Sequence, residues 1–168
     1  MANSPDTLNY VLSQGNVYFT PSGGSKFHMG NSTRLLYSPT VDKLEHFSRM
    51  TPVRTKDKTF IRQISATVQL TLEEITFENI GIFMQGDSAN TSTIAGLSNL
   101  AQEGLLEFTG TNSVGNQLAW SGQVSFTPSG DFDFLKEDLT EILLTADVLV
   151  DSNGFYGETT ITEAATAT

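Results

Sequence analysis

The 168-residue chain contains no cysteine. Disulfide bonds, thiolate nucleophiles and thiolate metal sites are therefore excluded. The chain also lacks an apolar run of roughly 18 residues, the length that a membrane-spanning helix needs. Its first residues, MANSPDTLNY, have neither the basic start nor the apolar core of a secretory signal. We therefore expect a soluble protein that folds in a reducing cytoplasm.

Positive charge is scarce and unevenly distributed. The chain has 9 Lys and Arg against 19 Asp and Glu, a formal net charge of −10. Residues 1–62 carry eight cations and four acids, a net of +4, whereas residues 63–168 carry Lys136 alone against fifteen acids, a net of −14. The acidic excess argues against a nucleic-acid-binding protein of the usual basic kind. The asymmetry indicates either a basic surface that meets an acidic one, or two solvated faces.

Side chains suited to catalysis or metal binding are few. His28 and His46 are not at a metal-ligand spacing, and no Gly-x-Ser-x-Gly motif occurs. GGSK at residues 23–26 has the end of a phosphate-binding motif without its first glycine. The adjacent Glu73 and Glu74 would point to opposite sides of a strand, so they cannot act as a catalytic carboxylate pair. The sequence predicts a protein that is not an enzyme and that needs no cofactor or metal.

Alternation with a period of two residues dominates the chain. ISATVQLTLE places Ile64, Ala66, Val68, Leu70 and Leu72 on one face, opposite Ser65, Thr67, Gln69, Thr71 and Glu73. LAWSGQVSFTP and ILLTADVLVD repeat the pattern, and GNVYFTP, RLLYSPTV and LLEFTGT add shorter strands. Such strands build a sheet that is buried on one side. We predict a mainly β, single-domain β-sandwich or small β-barrel, with DSNG at residues 151–154 as a hairpin turn.

One short flanking helix is predicted in EEITFENIGIFMQG. Thr76 is its expected N-cap, Phe77, Ile80 and Met84 share one face, and Gly86 is the expected stop. A second segment, VDKLEHFSRM, is either a helix or the first strand of a long hairpin.

The basic run RMTPVRTKDKTFIR is predicted to be a long exposed loop between two strands. Its cations are Arg49, Arg54, Lys56, Lys58 and Arg62. The run lacks the interleaved aromatic residues of a platform for single-stranded nucleic acid. We expect it instead to contact the acidic surface of another copy, in a head-to-tail contact that closes into a ring or extends as a filament.

LEHFSRMTPVRTKDKTFIRQISATVQLTLEEITFENIGIFMQG resembles the major tail tube proteins of long-tailed bacteriophages, of the non-contractile type. The specific pieces are LEHFS, the cationic KDK, and an alternating strand that continues into LEEIT-x-EN and the helix. GNVYFTP and VLVDSNGFYGE also look like strand segments of that family, so the resemblance covers about residues 15–160. It implies a β-sandwich or small β-barrel whose hexameric rings stack into a tube, through which DNA leaves the capsid.

The resemblance also implies partners and a location. The partners would be other copies of the chain, tape-measure, tail-tip and terminator proteins, and DNA in transit without specific binding, with no membrane. The location would be the tail of the virion, assembled in the host cytoplasm. An acidic wall would give DNA phosphates nothing to bind. We therefore expect the polar face to line the lumen, through Thr67, Gln69, Thr71 and Glu73. The basic residues Arg49, Arg54, Lys56, Lys58 and Arg62 would make the contacts between subunits or rings.

The expected organisation is an N-terminal arm at 1–14, a tail-tube domain at 15–160 and a flexible tail at 161–168, with no added immunoglobulin-like domain. Three alternatives stay open. The first is the tube of a contractile tail, a gene-transfer particle or a type VI secretion system, which shares the fold. The second is a monomeric β-sandwich binding module. The third is a hydrolase with a dispersed active site.

Overall fold

A computed structural model describes residues 10–50, 52–87, 92–111, 115–127, 129–135 and 137–163. Within these residues the chain forms eight strands and one short helix, so it is mainly β, as the sequence predicts. The elements are β1 Gly15–Pro21, β2 Phe27–His28, β3 Ser32–Phe47, β4 Lys56–Leu72, α1 Phe77–Phe83, β5 Glu103–Gly110, β6 Gln117–Thr127, β7 Ile142–Val148 and β8 Glu158–Thr162.

The strands form one antiparallel sheet with the order β2-β1-β5-β6-β7-β4-β3. One edge of β6 is shared by two strands that follow each other end to end: β7 pairs with its last residues and β8 with its first. β1 and β3 stand near opposite ends of this order, yet Val17 and Tyr37 line the same cleft. The sheet therefore curves back on itself and encloses its apolar face, as in a β-sandwich.

The core lies on the enclosed face, with α1 packed against β6 and β7. Its members are the apolar residues of alternate strand positions, joined by Met29 and Ile82: Val17, Phe19, Ala66, Val68, Leu70, Leu72, Leu106, Val124, Phe126, Ile142, Leu144, Ala146 and Val148. The predicted alternation is thus confirmed for Ala66 to Leu72. It is wrong at Ile64, which is 48% exposed, because β4 pairs with β7 only from Ala66 onward. It is also wrong at Val150, which lies beyond the end of β7.

The helix α1 begins as predicted but buries a different face. Thr76 is the N-cap, and its hydroxyl accepts a hydrogen bond from the Asn79 backbone N–H at 3.2 Å. The buried helical residues are Asn79, Gly81 and Ile82, not the predicted stripe. The left-handed position after the helix is taken by Gln85, with φ of 50°, not by Gly86. Gln85 holds this conformation because its buried amide donates hydrogen bonds to two backbone carbonyls.

β3 and β4 form a hairpin that extends well past the rest of the sheet. We call residues 40–65 the hairpin arm, because there β4 pairs with β3 and no longer with β7. VDKLEHFSRM is accordingly a strand up to Phe47, and the hairpin alternative is confirmed. The prediction of a long cationic loop is wrong in its length, because Lys56, Lys58 and Arg62 lie on β4 and not in a loop. The described residues between the two strands are 48–50 and 52–55, and we call the segment 48–55 the tip.

The end of the chain also differs from its prediction. The DSNG turn forms, with the Gly154 N–H donating to the Asp151 carbonyl at 3.1 Å. It does not make a β7–β8 hairpin, because both strands pair with β6. β8 extends to Thr162, so the predicted boundary of a flexible tail at 161 falls inside a strand. Residues 1–9 of the predicted N-terminal arm and residues 164–168 lie outside the described residues.

Candidate assembly interface

The solvent side of the sheet is a mostly polar surface that also exposes Leu36 and Leu143, and we call it the polar outer face. In antiparallel strands, directly opposed residues point to the same face. The register therefore aligns one row across five strands, formed by Ser38, Thr67, Asp147, Ser125 and Glu103. The adjacent row is formed by Leu36, Gln69, Thr145 and Thr127. Each row crosses strands that are far apart in the sequence.

The predicted lumen residues divide into two groups on this surface. Thr67, Gln69 and Thr71 lie on the polar outer face, opposite the buried residues of β4. Glu73 lies beyond the end of β4, and its carboxylate accepts a hydrogen bond from the Asn31 side-chain amide. It is therefore not part of the strand's polar row. Sequence reasoning missed Asp147 and the other members on β5, β6 and β7, because strand order and register join them.

Charge on the polar outer face is weakly acidic. Its carboxylates are Glu103, Glu107, Asp147 and Glu158, and Arg34 is the cation on the neighbouring β3. Lys26 forms an ion pair with Glu107 at 2.8 Å. Within the described residues, neither Glu103 nor Asp147 has an ion pair. The surface is thus mostly hydroxyl and amide groups with a small excess of negative charge.

Ion pairs inside the hairpin arm use some of the predicted contact residues. Lys56 pairs with Glu45 across the two strands, and Arg62 approaches Asp42 at 4.0 Å. Lys58 instead places its ammonium group 4.9 Å from the centre of the Phe60 ring. Exposed pairs of this kind contribute little to stability, since water screens them.

The two arginines of the tip differ from the cations on β4. Arg49 and Arg54 are exposed and have no ion pair within the described residues. The structure therefore does not bring the five predicted cations into one cluster. Two sit at the tip, and the others are spread along one strand of the arm.

The hairpin arm also exposes an unusual number of large apolar side chains. Met50 at the tip is 95% exposed. Seven more follow the arm: Val41, Leu44, Phe47, Val53, Phe60, Ile61 and Ile64. Exposed apolar area beyond single scattered side chains marks an interaction site more often than the rest of a protein surface does. The arm therefore combines the two properties of a contact element, exposed apolar area and unpaired positive charge.

A second exposed apolar surface lies on the segment between β6 and β7. We call residues 129–141 the acidic loop, because Asp131, Asp133, Glu137, Asp138 and Glu141 are all exposed. Phe132 anchors it on α1, with its ring 5.8 Å from that of Phe83. Phe134 packs edge-on against Phe132 at 4.8 Å but stays 79% exposed. The alternation of Asp and Phe in DFDF is the sequence signal that could have indicated this site.

The two histidines lie on different elements of the fold. His28 lies on β2 and hydrogen bonds to Asn16, whereas His46 lies on the arm and contacts Asp57 at 2.6 Å. In the part of the chain that the structure describes, no group of three or more His, Asp or Glu is placed to hold a metal ion. Across the same residues, no helix has the length and apolar character to cross a membrane.

Hydrogen bonds from the backbone of Phe155 and Asn153 lower the pKa of Asp151, which organises its turn.

A family model matches residues 10–95, which is half of the chain and contains β1 to β4, the hairpin arm and α1. The family is described as Protein of unknown function UCP028589. The chain belongs to this family. No curated protein matches the chain. Family UCP028589 thus shares the part of the fold that carries the hairpin arm and the predicted lumen residues, while the acidic loop lies outside the matched region.

Proposed function

We propose that this chain is the structural subunit of a phage tail tube, in which hexameric rings stack around a polar channel that conducts DNA. The observation that carries the proposal is the hairpin arm. It leaves the domain as a two-stranded ribbon, and its apolar residues and tip arginines are exposed. This form suits a protein whose neighbours in an assembly cover the arm.

The energetics of the arm support a covered state. An isolated two-stranded hairpin is marginally stable in water, because it buries little apolar area. Burying apolar surface contributes about 25 cal/mol per Å². Exposed residues such as Phe47 and Phe60 can contribute this free energy only when another molecule covers them. In a ring or tube, each copy would provide that surface for the arm of the next.

The polar outer face suits the wall of a channel for DNA. Hydroxyl and amide side chains with a slight acidic excess offer phosphates no lasting contact, whereas lysine or arginine would create salt-dependent sites by counterion release. Thr67, Gln69 and Thr71 are the proposed lumen residues, joined by Thr145 and Asp147 of β7. Because side chains alternate along a strand, only one of its two faces can line the lumen: either this polar set or the apolar residues between its members.

The free edges of the sheet also favour association. β3 pairs with β4 on one side and has no strand on the other among the described residues. A long unpaired edge is a template for pairing with another chain. In a closed ring, the unpaired backbone N–H and C=O groups of such an edge can pair with a neighbouring subunit. The free edge of β3 is therefore consistent with a ring.

The test is negative-stain electron microscopy with sedimentation velocity on the purified protein, at increasing concentration and moderate salt. We expect rings or hollow tubes. The matched variant is Arg54→Glu with Lys56→Glu, which we expect to raise the concentration needed for assembly by about tenfold or more, since like charges at an interface cost several kcal/mol.

A protein that stays monomeric at every concentration, even with tail-tip and tape-measure partners added, would overturn the proposal. If the wild-type protein assembles but the double charge reversal leaves assembly unchanged at low and high salt, the tube-subunit proposal is kept. The proposed role of Arg54 and Lys56 in the contacts is then rejected.

A monomeric binding module is the second candidate, and one observation favours it. Residues of β1, β3, β5 and β6 line an open cleft of about 460 Å³. Tyr37, Phe108 and Trp120 line it, and the Tyr37 hydroxyl donates to the Tyr156 carbonyl at 2.9 Å. Aromatic clefts of this size accept small ligands. This candidate predicts a single small species in the sedimentation experiment.

A further inference from the structure

We propose that the acidic loop is the docking surface for the tip of the hairpin arm of a second copy. This inference rests on the proposed function, because it names the contact by which one copy follows the next. It identifies the occupant of the exposed aromatic surface beside α1 as residues 48–55 of another molecule of the same chain.

The tip offers cations around an apolar centre. Met50 is the most exposed large apolar side chain of the arm, at 95%, and Arg49 precedes it directly. Arg54 lies on the other side of the tip, and neither arginine has an ion pair within the described residues. Methionine adapts its shape to irregular apolar gaps and makes favourable contacts with aromatic rings.

The acidic loop offers the complementary arrangement. A cleft of about 230 Å³ lies between α1 and the loop, and its walls include Phe83, Phe132 and Phe134. Asp131 lines this cleft, and the same loop also exposes the carboxylates of Asp133, Glu137, Asp138 and Glu141. An aromatic cleft on an acidic loop fits an apolar side chain with arginines beside it, and the pairing of opposite charges would fix the orientation.

The two surfaces cannot meet within one molecule. The acidic loop leads directly into Ile142, which pairs with Leu72 at one end of β4. Asp131, Asp133 and Glu141 also share a cleft with Thr71 at that end. The tip begins at the other end, before Lys56. The 16 steps from Lys56 to Leu72 correspond to about 53 Å of strand, measured along the chain. Each tip must therefore find its acidic loop on another copy.

This separation determines the geometry of the contact. Two different surfaces at opposite ends of one subunit make a head-to-tail interface. The interface repeats in the direction of β4, so a row of subunits has a free tip at one end and a free acidic loop at the other. In a stack of rings, every subunit would insert its tip into the ring that follows. The contact thus explains how rings stack along the tube axis. The contacts between subunits within one ring would be made by other surfaces.

Cross-linking tests the contact directly, because the chain has no cysteine of its own. Met50→Cys and Phe134→Cys are made in separate proteins, one with a mass tag, and mixed with a short bismaleimide. We expect the mixed dimer to form about tenfold faster or more than in the control mixture, since binding holds the thiols at millimolar effective concentration. The control pairs Met50→Cys with Thr160→Cys on exposed β8. Glu137→Cys replaces Phe134→Cys in a parallel mixture, so that the aromatic surface stays intact.

The outcomes separate this inference from the proposed function. Tubes without the mixed product, in both mixtures, would leave the tube subunit standing and overturn the tip–loop contact. The mixed product without rings or tubes would support the contact and overturn the tube. Neither product nor tubes would overturn both.

Charge exchange provides a second readout. Arg49→Glu with Arg54→Glu in the Met50→Cys protein is expected to slow the mixed product about tenfold. Asp131→Lys with Glu137→Lys in the Phe134→Cys protein is expected to slow it equally, while the two reversed proteins together recover the wild-type rate. No recovery would mean that the charges do not face each other, and the contact would be rejected.

Discussion

Replacing Asn79 with Asp tests the junction that holds α1 against the sheet. Asn79 is fully buried, and its side-chain amide donates hydrogen bonds of 3.0 Å to the carbonyls of Met29 and Glu74. Its own carbonyl oxygen is buried and has no hydrogen-bond partner within the described residues. One side chain thus joins the segment before β3, the end of β4 and the first turn of α1. Asn79→Asp keeps the shape and removes both donors.

The expected loss follows from these contacts. A buried acceptor left without its donor costs about 1–3 kcal/mol. The Met29 carbonyl is such an acceptor, and the partly buried Glu74 carbonyl loses the Asn79 amide as well. The introduced carboxylate would also face both carbonyls without any donor. We expect a decrease of about 3–5 kcal/mol in the free energy of unfolding at neutral pH, a large share of the roughly 5–15 kcal/mol that stabilises a domain.

The deficit should depend on pH with a defined sign. Burial and the absence of donors raise the pKa of the introduced carboxyl in the folded state, above its unfolded value of about 3.9. A raised folded pKa gives stability that is present below the unfolded pKa and is lost as pH rises through the folded pKa. Relative to the uncharged Asn79→Leu, Asn79→Asp should therefore become progressively less stable from about pH 4 upward.

Urea denaturation at a series of pH values measures both effects. Asn99→Asp is the matched control, because it adds the same charge at an exposed site where its side-chain oxygen only accepts from the Ala101 N–H. We expect the control to stay within about 0.5 kcal/mol of wild type. A neutral-pH midpoint for Asn79→Asp equal to that of Asn99→Asp would refute the role given to the Asn79 amide.

Three further substitutions test other parts of the structure. Gly104→Ala should destabilise the domain by about 1–3 kcal/mol in urea, because its Cβ would meet the Thr20 carbonyl and lie 2.8 Å from the Phe19 ring; an unchanged midpoint would contradict this packing. Asp151→Ala should lower the melting temperature above about pH 4, and the difference from wild type should vanish as pH falls through the lowered folded pKa; a difference independent of pH would contradict the role of the charged carboxylate. Gln69→Lys should leave the melting temperature unchanged but make assembled tubes retain DNA at low salt, and tubes that retain none would contradict its place in the lumen.

The sequence by itself determined the local features of this protein. The alternation from Ala66 to Leu72 fixed a strand with one buried face, because successive side chains point to opposite sides whatever lies next to them. Thr76 fixed the start of α1, because its hydroxyl can satisfy an N–H of the first turn. These features depend on residues a few positions apart, so they could be predicted without the fold.

Only the tertiary structure decided where these patterns end and what they build. Ile64 follows the same alternation as Ala66 but is exposed, because β7 ends beside Ala66. Lys56 belongs to a strand of the arm, since its partners on β3 come from a separate segment. The basic tip and the acidic loop lie at opposite ends of β4, although the sequence shows only a basic and an acidic part. Register and distance arise from pairing between distant segments, and no local pattern of residues carries that information.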